Sequence, residues 1–377
     1  MSLSPSKTLL FASGPITFSS LRSSFKEQSS GSVSASDLRR DTSTSSNPVV
    51  PDATENSAVS SSSNLSLSQF RNTIKYYFVT QSGTDANLNI ASASAWNNNL
   101  GKNIKKTITL TGISGSTNGN PAASLDAAAI YNVLLVITGG IFGTGGSRGT
   151  ETTNGGPGGN ALYINTNGTG TVAVRTSGSS AQVYGGGGGG GGGGDGGSGG
   201  GGQYTVSYTE RVGTGYNRNG PGGCGCRGGE YCSGSQGNGD PCCGGGQGTP
   251  GECFCCFYDR QVYYTVNTNG GGGGDGADGG YGQGYLQART LGGTGGGGGG
   301  GGTNAGRGGD GGDGGDGGTW AQNGENGERG DNGSSGNRTG GSAGVNGTLG
   351  GLGGRAVSGS GYFIDPSGVD SAYIGAK

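Results

Sequence analysis

"GRGGDGGDGGDGGTWAQNGENGERGDNGSSG", residues 306–336, holds a three-residue register through eleven triplets. Positions 306, 309, 312 and onward to 336 are glycine except Ala321, and the next phase, 307 to 334, reads R-D-D-D-T-Q-E-E-D-S. A flexible Gly/Ser linker has no reason to keep phase. A left-handed threefold helix does, because residues three apart share one edge. Collagen also places glycine at every third position, but it relies on proline, and none lies between 251 and 365. The expectation is a lattice of glycine helices hydrogen-bonded side by side. It should turn at "GGTWAQNG" (317–324), where Trp320 closes one end, and at "NRTGG" (337–341).

The acidic edge of this stretch, Asp310, Asp313, Asp316, Glu325, Glu328 and Asp331, admits two readings. Hard oxygen ligands suit calcium. The preferred reading is a solvated edge that stops further segments from adding.

The composition narrows the function classes. With 98 glycines in 377 residues and 28% apolar residues, ordinary core burial cannot stabilise the whole chain, because ordering glycine costs the most backbone entropy. A net charge of −2 and the lack of a Lys/Arg run leave no footprint for nucleic acid. No segment nears the roughly 18 apolar residues of a membrane span. "TLLFA" (8–12) is too short for the apolar region of a signal peptide, so synthesis in a cytoplasm and release by lysis are expected. The chain has no histidine, which rules out Ser-His-Asp and Cys-His devices, and the acids sit in repetitive edges without an aromatic cleft signature. "GGGGGGDGGSGG" lacks the Lys-Ser/Thr of a phosphate loop. No enzyme activity and no cofactor are expected.

Upstream, "KTITLTG" (106–112), "NVLLVITGGIFG" (132–143), "ALYINTNG" (161–168) and "TVAVRTSG" (171–178) are β-branched runs closed by turn signals. Trp96 is a core anchor for this region. Near the N-terminus, "ITFSSLR" (16–22), "VSASDLR" (33–39) and "LSLSQFR" (65–71) repeat one pattern. Each reads as a strand-to-helix corner with the second Ser at the N-cap, an apolar knob (Leu21, Leu38, Phe70) and a cation (Arg22, Arg39, Arg71). With the polar linker "DTSTSSNPVVPDATENSAVSSSS" (41–63) between copies, the three knobs suit multivalent docking onto a larger surface.

All eight cysteines, Cys224, Cys226, Cys232, Cys242, Cys243, Cys253, Cys255 and Cys256, fall between "QYTVSYTERV" (203–212) and "DRQVYYTVNTN" (259–269). Those flanks alternate like hairpin arms, which makes residues 213–259 a distal loop. A glycine-rich loop without a core needs staples, so disulfides are preferred to zinc, whose paired C-x₂-C knuckles are missing. Eight cysteines allow 105 pairings, and the connectivity stays open. Tyr216, Arg218, Arg227, Tyr231, Phe257 and Tyr258 are contact candidates by residue type. Phe254 and Phe257 also suit packing on the disulfides.

"GPITFSSLR" (14–22) and "LSLSQFR" resemble short N-terminal segments of virion proteins of tailed bacteriophages, especially fibre and minor tail proteins. The order "GGIFGTGG … GGNALYI … VAVRTSG … VYGGGGGGGGGG" (139–194) resembles the glycine-rich region of tail-fibre and fibre-tip proteins, whose glycine blocks resemble polyglycine-II. The resemblance implies a tail fibre or fibre-tip adhesin in the virion, with other virion proteins and a host-surface receptor as partners. Tail fibres imply a homotrimer, whereas fibre-tip adhesins on glycine lattices can be monomeric. The alternative is a non-adhesive decoration, collar or connector fibre; an ice-binding or matrix protein would leave the N-terminal motifs unexplained. The expected fold is mainly β with a polyglycine-II-like lattice, an extended N-terminal docking segment and little α-helix. Its parts are residues 1–75 (docking), 76–184 (β-rich shaft), 185–302 (lattice with hairpin and Cys-rich loop) and 303–377 (glycine-triplet lattice and C-terminal cap).

Overall fold

The computed structural model describes residues 9–26, 34–40, 49–61, 64–81, 84–92, 96, 99–102, 104–116, 120–128, 130–168, 170–213 and 257–377. The chain is mainly β, with 7% helix. A short antiparallel pair, β1 (Leu9–Leu10) and β2 (Thr73–Ile74), brackets the N-terminal region, whose one α-helical turn is α1 (Phe18–Leu21). The chain then coils. β3 (Tyr77–Gln81), β4 (Thr84–Ala86) and β5 (Leu88–Asn89) make the first coil. β6 (Lys106–Leu110), β7 (Ile113–Gly115) and β8 (Ala123–Asp126) make the second. The third is β9 (Val133–Ile137), β10 (Gly140–Phe142) and β11 (Leu162–Asn165). The fourth begins with β12 (Val172–Thr176) and β13 (Gln182–Tyr184). It then leaves the coil for an excursion containing the hairpin β14 (Gly202–Gly213) and β15 (Phe257–Thr268), and returns as β16 (Val357–Ser360). β17 (Tyr362–Ile364) and β18 (Tyr373–Ile374) end the chain.

Like strands of successive coils stack in parallel into three sheets, the arrangement of a three-faced β-solenoid. The register is strict: Val79, Ile108, Leu135, Val174 and Ile364 form one ladder. Ile108, Leu135 and Val174 are fully buried, because alternate residues point inward and each coil stacks the same side chain on the last. Each such side chain contributes roughly 1.5–3 kcal/mol. At Gly359 the backbone takes φ +106°, and a Cβ there would lie 1.8 Å from the Ile164 carbonyl oxygen.

The corner between the second and third strands carries the excursions that build the rest of the molecule. In the first coil Asn87 alone, at φ +53°, joins the second and third strands. In later coils that corner holds residues 116–122, then 143–161, then 185–356. The last two build an array of eight glycine-rich segments: I (143–150), II (154–160), III (185–201), IV (269–283), V (290–302), VI (306–318), VII (322–336) and VIII (339–355). The parallel pairing of β10 with β13 runs straight into it. Gly143, Gly146 and Gly149 donate to Tyr184, Gly187 and Gly190, so the bonding repeat becomes three residues.

Segment III is the centre. Its N–H groups donate in rotation to II (Gly189 to Gly156), IV (Gly190 to Gly280) and VII (Gly191 to Glu325). Its carbonyls accept from I (Gly149 to Gly190), VI (Gly315 to Gly191) and VIII (Thr348 to Gly192). The outer segments bond to one another in the ring I–II–VIII–VII–VI–IV, and segment V lies outside it against IV and VI. Three edges in use explain the ten-glycine run 185–194, since a side chain on any edge would enter a neighbour's backbone. The outer segments face solvent along one edge, and there the sequence admits Asp, Asn, Arg and Leu.

Three residues of the acidic stripe have a role that neither sequence reading foresaw. Segment V exposes N–H groups that meet no other segment, and Asp310, Asp313 and Asp316 accept them through Oδ1 from Gly298, Gly295 and Gly292, at 2.8, 2.8 and 2.9 Å. Asn323, Asn326 and Asn332 accept from Gly353, Gly350 and Gly344 in the same way. Replacing Asp313 with alanine is expected to cost roughly 0.5–1.5 kcal/mol in denaturant unfolding, the value of one net hydrogen bond. Asp313→Asn keeps the acceptor and should be close to neutral. A calcium site would reverse that, with the Asn variant losing a calcium-dependent stabilisation.

The N-terminal region closes the first coil. Leu21, Leu38 and Phe70 are each at most 1% exposed and belong to the same apolar cluster as Ile90, Trp96 and Ile108. The expectation of outward knobs on flexible spacers is therefore corrected: the knobs fill the end of the solenoid, whose open coil would otherwise expose apolar surface. Val49, Val50 and Val59, within the stretch read as a polar linker, are buried with them. The caps also sit two residues earlier than expected. Thr17, Ser34 and Ser66 take that position, because Ser20, Asp37 and Gln69 three residues on bond back to their N–H groups.

Two buried lysines tie this cap to the coils. Lys102 Nζ donates to the Arg40 carbonyl (2.7 Å), and Lys106 Nζ donates to the carbonyls of Lys102, Ile104 and Tyr131. Burial, with the neighbouring Lys102 charge, pulls Lys106 down from 10.5 to about 7. Between those values the unfolded chain holds a proton that the native chain has released. Stability is therefore expected to rise with pH from about 7 towards 10.5. Melting curves across that range should show the rise, and Lys106→Met should flatten it.

Candidate functional site

Most turns of the array fall at its two ends. Near the solenoid, residues 284–290 and 319–321 reverse the chain under an aromatic cluster. Phe142 lies 5.8 Å from Tyr184, 6.4 Å from Tyr285 and 5.6 Å from Trp320 between ring centroids. Ala321 takes φ +58° in that reversal, and its N–H donates to the Gly185 carbonyl of segment III (2.8 Å). The far end is built from three connections: residues 303–305, residues 337–338, and the hairpin that carries segment III into IV.

The hairpin pairs residue for residue from Gly202–Thr268 to Gly213–Phe257. Its root is held by the two neighbouring turns. Asn304 and Asn337 both donate from Nδ2 to the Gln203 carbonyl (3.1 and 2.9 Å), and the Gln203 N–H donates to Asn337 Oδ1 (2.8 Å). Thr268 Oγ1 donates to the Thr303 carbonyl (2.7 Å). Alternation places Tyr204, Val206, Tyr208, Val262, Tyr264 and Val266 on one face, and Thr205, Ser207, Thr209, Gln261, Tyr263 and Thr265 on the other. Tyr208 and Tyr264 meet edge to face at 6.1 Å while remaining 50% and 47% exposed, and Tyr263 is 68% exposed. These three tyrosines were not singled out from the sequence, although the alternation of the hairpin arms carries the signal for them.

Of the contact candidates, Tyr216, Arg218, Arg227 and Tyr231 lie outside the described residues, as do Phe254 and all eight cysteines. Phe257 and Tyr258 begin β15. Of the cations of the N-terminal repeats, Arg71 donates to the carbonyls of Phe11 and Gly14 (3.2 and 2.9 Å), and Arg22 and Arg39 are half-buried.

Nearer the middle of the array, the turn between segments I and II exposes Glu151, whose carboxyl Asp195 above all, then partial desolvation, Asp275 and Asp278, holds above its usual range. Among the described residues no three His, Cys, Asp or Glu side chains are placed to hold a metal ion, and no helix is long and apolar enough to cross a membrane. The arrangement combines a clamped hairpin root, an aromatic ribbon and polar turns.

No protein-family model matches the chain, and no curated protein matches it. Among solved structures it is similar to the gp37-gp38 adhesin tip complex of the bacteriophage S16 long tail fiber, at a TM-score of 0.31 and 16% identity over 84% of this chain and 87% of that one. A likeness that loose carries no argument for fold or function.

Proposed function

We propose that the chain is a virion protein of a tailed bacteriophage, a tail fibre or fibre-tip adhesin that presents its far end to a host-surface receptor. The eight segments are, in this reading, polyglycine-II helices. Their negative φ values, three-residue bonding repeat and six-neighbour packing around segment III support it. The observation that carries the function is the hairpin: central segment III runs directly into a twelve-residue strand that projects exposed tyrosines from a root clamped by neighbouring turns. Binding residues on loops positioned by a rigid scaffold are the common solution for recognition.

The Cys-rich stretch between β14 and β15, with Tyr216, Arg218, Arg227 and Tyr231, supplies further contacts, joined by Phe257 and Tyr258, and its cysteines form disulfides. Attachment to other virion proteins falls to the N-terminal cap as a folded unit, through outward groups such as Phe18, which is 67% exposed. The resemblance of residues 139–194 to fibre-tip glycine regions supports the same reading.

The test is immunogold electron microscopy of intact particles with an antibody to residues 213–259. Gold at the ends of projecting fibres, together with blocked adsorption, is expected. Gold on the capsid or collar would favour the non-adhesive connector, and unlabelled particles would remove the virion assignment.

A further inference from the structure

The array contains several Asn-Gly pairs, and they are not equivalent. At such a pair the glycine nitrogen can attack the asparagine Cγ. The new N–Cγ bond forms, the Cγ–Nδ2 bond breaks, ammonia leaves, and water opens the succinimide to aspartate or isoaspartate. The reaction needs a free glycine N–H and a side-chain amide free to turn.

Four pairs have neither. Asn154 Oδ1 accepts from Leu349 N–H while Gly155 donates to the Leu349 carbonyl. Asn323, Asn326 and Asn332 accept from Gly353, Gly350 and Gly344, and Gly324, Gly327 and Gly333 donate to the carbonyls of Gly351, Thr348 and Ser342. The antiparallel pairing of segments VII and VIII sets these partners three residues apart. The step that faces Gly347 in that ladder is residue 329, and it is arginine, which has no acceptor. Arg329 instead turns Nη2 to Asn332 Oδ1 at 3.0 Å. Among the described residues the Gly347 N–H and the Asn346 amide therefore have no partner, and Asn346 is exposed.

We infer that Asn346–Gly347 is a site of spontaneous deamidation opened by the single gap that Arg329 leaves in the asparagine ladder. The consequence is local. The N–H groups of Val345 and Thr348 on either side bond to Asp195 and Gly192 of segment III, both at 2.8 Å. An isoaspartyl link adds one methylene to the backbone between them and breaks that register.

Peptide mapping by mass spectrometry, on the purified full chain held in mildly alkaline buffer below its melting temperature, tests this. Asn346 is expected to convert about tenfold faster than Asn323 or Asn326, the factor one net hydrogen bond confers. Arg329→Asn restores an acceptor opposite Gly347 and should slow Asn346 by about the same factor. Asn269–Gly270, also without either contact but far from residue 329, should be unchanged by that substitution and serves as the internal reference. Conversion of Asn346 no faster than Asn326, or an Arg329→Asn rate for Asn346 equal to that of the unaltered chain, would overturn the inference.

Discussion

Replacing Gly194 with alanine is expected to unfold the array, whereas replacing Gly297 with alanine should leave it intact. Both glycines lie in uninterrupted glycine runs, and neither takes a positive φ, so conformational freedom does not distinguish them. The difference is what surrounds them. A Cβ on Gly194 would lie 2.1 Å from the Val345 carbonyl oxygen and 2.6 Å from its carbon. Relief by separating segments III and VIII is opposed by the other two edges. Gly194 donates to Glu328 of VII at 2.9 Å and accepts from Gly312 of VI at 2.8 Å, so any shift breaks bonds there. The loss should exceed about 4 kcal/mol, the range reserved for severe steric or network failure. Around Gly297 nothing lies within 4 Å. Alanine there removes freedom from the unfolded chain and should stabilise by roughly 0.4–1 kcal/mol. Thermal melts of the two variants decide it: equal effects would mean that segment III is not the packed centre.

Phe70→Ala is expected to destabilise the isolated chain by about 3–5 kcal/mol. Phe70 is 1% exposed and meets Phe25 edge to face at 6.0 Å beneath the cap. Urea unfolding of the purified protein, with no other protein present, measures this directly. A knob reserved for docking would leave the isolated protein's stability unchanged and weaken only its incorporation into particles. Loss of stability in solution, with cap and coils unfolding together, is the outcome the buried position requires.

What the sequence could reveal depended on the distance over which each signal acts. The three-residue phase of 306–336 is local and visible, because each outer segment must present glycine to its neighbours and has one edge free for side chains. The β-branched runs at 106–112 and 132–143 are legible for the same reason, and so is the alternation of the hairpin arms. Coil closure is not. Val79, Ile108, Leu135 and Val174 stand in register although their spacings differ, because the connections between strands change greatly in length from coil to coil. No fixed period survives that. The N-terminal repeats show a second limit. An apolar residue behind a capped turn looks the same whether it will dock on a partner or close its own chain, and only the neighbouring coil distinguishes the two. The cap position was readable in principle, since Ser20, Asp37 and Gln69 each stand three residues after Thr17, Ser34 and Ser66. The acidic stripe needed the pairing of segments V and VI before Asp310, Asp313 and Asp316 could be matched to the amides they satisfy.

The direct passage from segment III into β14 has a mechanical consequence. A pull on the ribbon passes through β14 and β15 into segments III and IV, of which III is bonded on every side. Its hydrogen bonds lie across the direction of pull, so they are loaded together in shear and cannot open one after another as in an unzipped hairpin. The tension then spreads through the outer ring to the solenoid corner where the array begins. The weakest element under load is thus the ribbon itself, whose two strands, among the described residues, are joined only to each other beyond Gln203. An array built this way yields at its ribbon before its base is disturbed.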